Sequence, residues 1–296
     1  MLTRKEMDPS LQSCRLCGHK VAERLVLPHA KVLKCVNRNC QLMFSSPQLD
    51  SRELNAAYRR LYYPASDGSV AVYENTPEEI LRQTFDEAHA KFGTLAGKTL
   101  LDFGCGVGRL CRIAREYGIQ TTGIEPDACA RQIAGKSGGL KVYANLDELR
   151  AAEPGAGFEI ITIWDVIEHL REPWKELEEL SALLQPGGWL LLSTPNADSL
   201  RAFLERERWD NVTNPTHFYY FTRRSLRSAL ARSGFSAIDE LQFPIRYPGH
   251  SIIRRIANRG LWACGLQGQL LFIARPRMFE TATPVYSQAA RVQVAQ

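Results

Sequence analysis

From Lys98 onward, short and almost wholly apolar runs alternate with longer segments whose apolar positions recur every third or fourth residue. The runs are KTLLDFG, QTTGIEP, KVYANL and FEIITIWDV, and between them lie the amphipathic stretches VGRLCRIAREYG and DACARQIAGK. A strand apolar throughout is covered on both faces, and strands separated by helices imply a parallel sheet with helices on both sides. The rhythm continues in PWKELEELSALL, where Trp174, Leu177, Leu180 and Leu184 share a helical face, and QPGG is expected to stop that helix before a strand in WLLLSTP. A helix capped by Thr222 should run through TRRSLRSALARSG to Gly234. Two last strands follow near SAIDELQF and QLLFIARP, joined by a long loop. The fold class is α/β, with a doubly wound, mostly parallel seven-stranded sheet.

Upstream, SRELNAAYRRLYY and TPEEILRQTFDEAHAKF read as helices. Thr76 is placed as a cap, Pro77 at the first helical position and Glu79 three residues after the cap, the order of a capping box.

The first forty residues carry a different signal. Cys14-x-x-Cys17 and Cys35-x4-Cys40 suit two turns that each offer two thiolates to a tetrahedral zinc ion. Four sulfurs leave no open coordination position, so the metal would be structural and its binding would fold a segment with little core of its own. His19 and His29 are alternative ligands. Cys105, Cys111, Cys129 and Cys264 read as small core residues.

Composition excludes more than it identifies. The chain is 45% hydrophobic and 23% charged with a formal charge of +5, which suits a packed enzyme domain and is weak for a dedicated nucleic-acid binder. The positive excess is local: Arg223, Arg224, Arg227, Arg232, Arg246, Arg254, Arg255, Arg259, Arg275 and Arg277 crowd the last third. The opening MLTRKEMDPS is polar and no apolar stretch is long enough for a membrane span, so a cytoplasmic location is expected.

The candidate chemistry lies in LLDFGCGVG, where a strand meets a helix and Gly104, Gly106 and Gly108 let the backbone approach a ligand. The dinucleotide fingerprint requires a glycine where this chain has Arg109. Asp102, Glu125 and Asp165 should converge at the carboxyl edge of the sheet. Three carboxylates repel a pyrophosphate and attract S-adenosylmethionine, which carries a sulfonium and an ammonium.

With LLDFGCGVG, GIEPD, IWDVIEHL, LQPGGWLLLSTPN and THFYYFTRRSL in order, the chain resembles class I S-adenosylmethionine-dependent methyltransferases from about Leu100 to Pro276. The likeness is to the small-molecule and glycan branch, some of whose members bear zinc. It implies that Asp102, Gly104, Cys105, Gly106 and Gly108 hold the methionine end, Glu125 and Pro126 the ribose, and Asn145 with Leu146 the adenine, with Trp164 and Asp165 lining the methionine side. It also implies methyl transfer to a small-molecule or glycan acceptor through oxygen. The cofactors expected are S-adenosylmethionine and structural Zn2+.

An oxygen acceptor needs a base near neutrality, and His217 and His169 are the candidates. Trp209, Phe218, Tyr219 and Tyr220 form an aromatic group that either covers the acceptor or packs, and Tyr58, Tyr62, Tyr63 and Tyr73 a group that either forms a lid or packs. The organisation expected is a zinc ribbon at 10–50, a helical lid or linker at 51–92, a methyltransferase domain at 93–277 with an acceptor-side insert at 196–221, and a flexible tail at 278–296. The rival readings are an RNA methyltransferase guided by the ribbon and the arginines, and a non-catalytic scaffold that keeps the fold.

Overall fold

Leu100 and Leu101 adjoin in the strand that opens the glycine loop; both are fully buried, yet they enter different cores. Leu101, Ile161, Ile163, Leu190 and Leu192 pack on one face of the sheet. Leu100, Ile160, Trp189 and Leu191 pack on the other. Side chains alternate across a strand, so a sheet covered on both faces requires the unbroken apolar runs seen in the sequence.

The structure is a computed structural model and describes residues 13–62, 77–136, 139–241 and 251–277. Its elements begin with β1 (Val21–Val26), β2 (Lys31–Cys35), β3 (Met43–Ser46), α1 (Ser51–Tyr62) and α2 (Glu78–Phe92). The central region holds β4 (Thr99–Phe103), α3 (Arg109–Glu116), β5 (Gln120–Ile124), α4 (Ala128–Lys136), β6 (Lys141–Tyr143), α5 (Leu146–Ala152) and β7 (Phe158–Trp164). After a 3-10 turn at Ile167–His169 come α6 (Pro173–Leu183), β8 (Leu184–Pro195), α7 (Leu200–Glu205), α8 (Asp210–Thr213) and β9 (Tyr219–Tyr220). The chain continues with α9 (Arg223–Arg232), β10 (Phe235–Glu240), α10 (Ile252–Cys264) and β11 (Gln269–Pro276).

The large sheet has seven strands in the order β10-β11-β8-β7-β4-β5-β6, with β10 and β11 antiparallel and the rest parallel. The chain winds outward in one direction through β4, β5 and β6 and in the other through β7 and β8. The carboxyl ends of β4 and its two neighbours therefore flank a topological switch point, where open α/β sheets bind ligands.

A second sheet, β1-β2-β3-β9, is antiparallel. Its last strand comes from the insert: Met43 pairs with Tyr220 and Phe44 with Tyr219. The cysteine-bearing segment shares a core with the large sheet, since Cys14, Leu16, Leu33 and Leu42 belong to the same buried cluster as Leu226, Ala229 and Leu230 of α9. Backbone carbonyls of that segment also accept from Arg232 (at Leu16), Arg224 (at Arg38, 3.1 Å) and Ser228 (at Asn39, 3.4 Å).

Thr222 caps α9 as expected, completing a capping box with Ser225. Other expectations are corrected. Pro77 occupies the cap position of α2 and makes no side-chain cap bond, so the helix begins one residue later than its pattern implied; Thr76 lies outside the described residues. QPGG does not separate α6 from β8 but lies inside the strand, where the register shifts between Phe158 and Ile160. A Cβ on Gly188 would come 2.9 Å from the carbonyl oxygens of Gln185 and Glu159, so glycine is what lets this irregular segment lie so close to its neighbour.

The expected long loop before the last strand contains α10. Ser251 caps it by accepting from Arg254 N, and Gly265 ends it at φ 72°. The apolar residues Ile252, Ile253, Ile256, Ala257 and Leu261 do recur at helical spacing, although Ile256 stays 67% exposed. Cys105 and Cys111 are buried as expected, but Cys129 and Cys264 are exposed, each placed on the solvent side of a surface helix. Tyr63, Tyr73, Arg246 and residues 278–296 lie outside the described residues.

Candidate active site

The loop after β4 turns through left-handed backbone at Gly104 (φ 81°), Gly106 (φ 53°) and Gly108 (φ 79°), and α3 starts at the next residue. At Gly104 a side chain is excluded twice over, by the dihedral and by Val166, which a Cβ would overlap. Both carboxylate oxygens of Glu125, at the end of β5, hold backbone: one accepts from Gly106 N at 3.0 Å and the other from Asp127 N at 2.9 Å. Glu125 therefore ties the glycine loop to the turn at Pro126.

Asp102 is 2% exposed, and its two oxygens accept from Thr162 Oγ1 at 2.7 Å and from the Cys111 thiol at 3.7 Å. Burial pushes its carboxyl up to about 6, with the nearby Glu125 charge acting the same way. Glu125 is also raised, chiefly by burial, against the two backbone donors. Two buried carboxyls side by side, of which only Glu125 feels an opposing charge, that of Arg131, make a site that a cationic ligand relieves. The Trp164 indole N–H is buried without a partner, a spare donor at the same sheet edge.

The other predicted cofactor residues are placed differently. Asp165 is left-handed at φ 53°, and its Oδ1 accepts from Ser193 Oγ at 2.7 Å and from Gln269 Nε2, so this carboxyl is held by β8 and β11. Asn145 caps α5, its side-chain oxygen accepting from Glu148 N at 2.8 Å, while Leu146 is buried. The Cys105 thiol is buried against Gly123 of β5.

The two predicted histidines meet. His169 ends the turn after β7 and His217 precedes β9, and their ring centroids lie 4.5 Å apart at 78°. One nitrogen from each ring and a carboxyl oxygen of Glu168 lie within 4.8 Å of one another. Glu168 accepts from Thr194 Oγ1 at 2.9 Å and is pushed well above the usual carboxylate range by burial and by Asp165. Burial lowers His169 to about 4, opposed by its bond to the Thr216 carbonyl. Burial and His169 together lower His217 against the Asn211 carbonyl, so both rings are uncharged at physiological pH and lie below the near-neutral range expected of the base, because both are withdrawn from water. From α1, the Tyr58 and Tyr62 rings lie 5.8 Å and 6.1 Å from that of His169 and cover it. The second aromatic group packs: Trp209 and Tyr220 join a core with Leu27, Val32 and Met43, and the Tyr219 hydroxyl donates to Arg171 O.

Asn214 and Thr216, which position these rings, were not singled out from the sequence. The signal available was Asn214-Pro215, a turn-forming pair. Here His217 N donates to Asn214 O at 3.2 Å, and Phe218 N donates to Glu168 O at 2.8 Å, which fastens the turn to the end of β7.

At the N-terminus the sulfurs of Cys14, Cys17, Cys35 and Cys40 lie within 4.8 Å of one another, with Cys14 and Cys40 at 3.7 Å and Cys17 and Cys35 at 3.5 Å. Tetrahedral Zn–S bonds of about 2.3 Å imply sulfurs about 3.8 Å apart, so the donor set fits zinc. His19 is turned to the Cys17 carbonyl and Asn37, and neither it nor His29 joins the group.

Five of the ten arginines named in the last third are engaged with the fold. Arg223 pairs with Glu240, Arg227 donates to Ile238 O and lies over Phe272, and Arg275 lies over Phe92. Arg224 and Arg232 are bound to the N-terminal segment. No helix among the described residues is long and apolar enough to cross a membrane.

The switch-point site, with its acidic groups around a glycine loop, is of the kind that defines S-adenosylmethionine-dependent methyltransferases. The methyltransferase domain family matches residues 72–240, and the chain belongs to it. The ubiquinone biosynthesis O-methyltransferase of Bordetella pertussis is 36% identical over 110 residues, 35% of this chain and 45% of the relative. That of Nitrosospira multiformis is 32% identical over 153 residues, 50% of this chain and 61% of the relative. The chain thus spans about half the length of the curated relatives it matches. In fold it is similar to the Burkholderia thailandensis 1,6-didemethyltoxoflavin-N1-methyltransferase, solved with S-adenosylhomocysteine, at a TM-score of 0.53 and 16% identity over 86% of this chain and 99% of that one.

Proposed function

We propose that this protein transfers a methyl group from S-adenosylmethionine to the oxygen of a small-molecule or glycan acceptor. The observation that carries the reading is the pair of neutral histidines beside the switch point, His217 buried and His169 half-buried, ring to ring at 4.5 Å. When bound, the cofactor supplies an activated sulfonium methyl, so the chain needs to position an acceptor and take its proton.

Asp102 would face the cationic methionine end with the Gly104–Gly108 backbone, and Glu125 would hold the ribose beside Pro126. Trp164 would offer its unpartnered N–H. Asn145 and Leu146 would border the adenine, with the Asn145 side chain serving the helix cap. Asp165 would act from behind, by fixing the turn that carries Glu168 and His169. Residues 10–50 would form a ribbon around a structural zinc at Cys14, Cys17, Cys35 and Cys40, and α1 would be a lid through Tyr58 and Tyr62.

Calorimetry with S-adenosylmethionine and S-adenosylhomocysteine tests the cofactor step. Micromolar binding is expected, weakened at least tenfold by Glu125→Gln, which loses a charged acceptor at constant volume. Folded wild-type protein that binds neither ligand overturns the proposal. A panel of phenols, hydroxy acids and sugar nucleotides then tests the acceptor class.

A further inference from the structure

The two histidines are not equivalent, and backbone groups say which does what. Thr216 N can only donate, and it lies 3.1 Å from Asn214 Oδ1. The Thr216 hydroxyl donates to the same oxygen at 2.8 Å. Those bonds fix the Asn214 amide, so Nδ2 is its nitrogen and presents two hydrogens. One faces the Tyr62 hydroxyl at 2.8 Å and the other faces His217 Nε2 at 3.1 Å. His217 Nε2 must therefore accept, which places the proton of this neutral ring on Nδ1. The other tautomer would set two N–H groups against each other, and turning the amide over to avoid that would set its NH2 against the Thr216 N–H.

His217 Nδ1–H is then a buried donor that meets no hydrogen bond of good geometry, although the Asn211 carbonyl acts on the ring and favours its protonated form. The ring is 7% exposed, and an oxygen brought in by a ligand would complete the hydrogen bond that this donor lacks in good geometry. For His169 the result differs. Its Nδ1 lies 3.0 Å from the Thr216 carbonyl, which can only accept, so Nδ1 carries the proton and the lone pair is on Nε2.

We infer that His169 Nε2 is the general base, that His217 Nδ1–H is the hydrogen-bond donor to the acceptor, and that Asn214 is the positioning residue that holds this assignment. The inference rests on the methyl-transfer reading above. In the step it describes, the acceptor oxygen forms the new O–C bond as the S–C bond breaks. The electron pair stays on sulfur, which leaves as a neutral thioether, and the hydroxyl proton passes to His169 Nε2.

The test is long-range 1H–15N correlation spectroscopy of the full-length, 15N-histidine-labelled protein at neutral pH, with His169→Gln and His217→Gln giving the assignments. Both rings are expected in the Nδ1–H form. In Asn214→Asp, whose carboxylate still accepts from Thr216 N but has nothing to donate, the His217 proton should move to Nε2 and its pKa should rise, while His169 stays Nδ1–H. A wild-type His217 protonated at Nε2 overturns the inference. So does an Asn214→Asp spectrum with the His217 proton unmoved. Neither result depends on cofactor binding, so failure here is separable from failure of the calorimetry.

Discussion

The backbone of Phe44 pairs antiparallel with that of Tyr219, two residues beyond His217, and their rings stand 6.4 Å apart. Next to that pair, Ser45 N donates to Phe218 O at 3.0 Å. The strand that follows the four cysteines is thus the edge on which the histidine-bearing turn is laid down. A metal that orders the first segment would order the second through this pairing.

Loss of zinc should therefore be felt at the insert. Elemental analysis is expected to find one zinc per chain in the wild type and less in Cys35→Ser, in which amide hydrogen exchange at Tyr219 and Tyr220 should be faster. Exchange in β4 and β5 should change far less. Unchanged exchange at both tyrosines in a zinc-free chain would disconnect the metal from the site.

Cofactor affinity should depend on pH through Asp102. Its carboxyl, raised by burial to about 6, is neutral below that pH and cannot pair with a cation. Affinity should rise with pH and level off above about 6, falling up to tenfold per pH unit on the acid side for one linked proton. Without cofactor the sign of the stability effect is opposite: the folded pKa exceeds the ordinary value, so stability is lost as pH rises through about 6. Asp102→Asn should accordingly melt higher than the wild type at pH 7 and bind S-adenosylmethionine poorly.

Stability in acid should report His169. Its folded pKa is depressed to about 4 by burial, so the unfolded chain binds the proton first and stability falls as pH drops from about 6.5 to 4. His169→Gln removes this term, and denaturant titrations across that window should show a shallower acid loss than in the wild type. An identical pH profile would mean that the ring is hydrated in solution.

Gly104→Ala should destabilise the fold by about 2–5 kcal/mol, the sum of about 1–2 for a side chain at φ 81° and about 1–3 for the overlap with Val166. Adding Val166→Ala should restore the packing part and leave the backbone part. A double variant no more stable than the single one would assign the whole cost to the dihedral.

Much of this was readable because it is local. The apolar runs from Lys98 onward reflect burial on both faces of each strand, the glycine loop and Asp102 lie within a few residues of one another, and Thr222 announces its helix by its own side chain. Even the four-cysteine cluster, formed across β1 and β2, declares itself by residue type, since few other roles need four thiols so spaced.

What escaped the sequence is the work of residues far apart in the chain. Nothing in the spacing joins Phe44 to Tyr219, or Asp165 to Gln269, because a pair of backbone or polar groups brought together across more than a hundred residues leaves no period behind. The division of labour between His169 and His217 is of the same kind. The sequence by itself determined the sheet, its glycine loop and which side chains could do chemistry. Only the tertiary structure, by setting Thr216 and Asn214 against the two rings, decided which nitrogen keeps its proton.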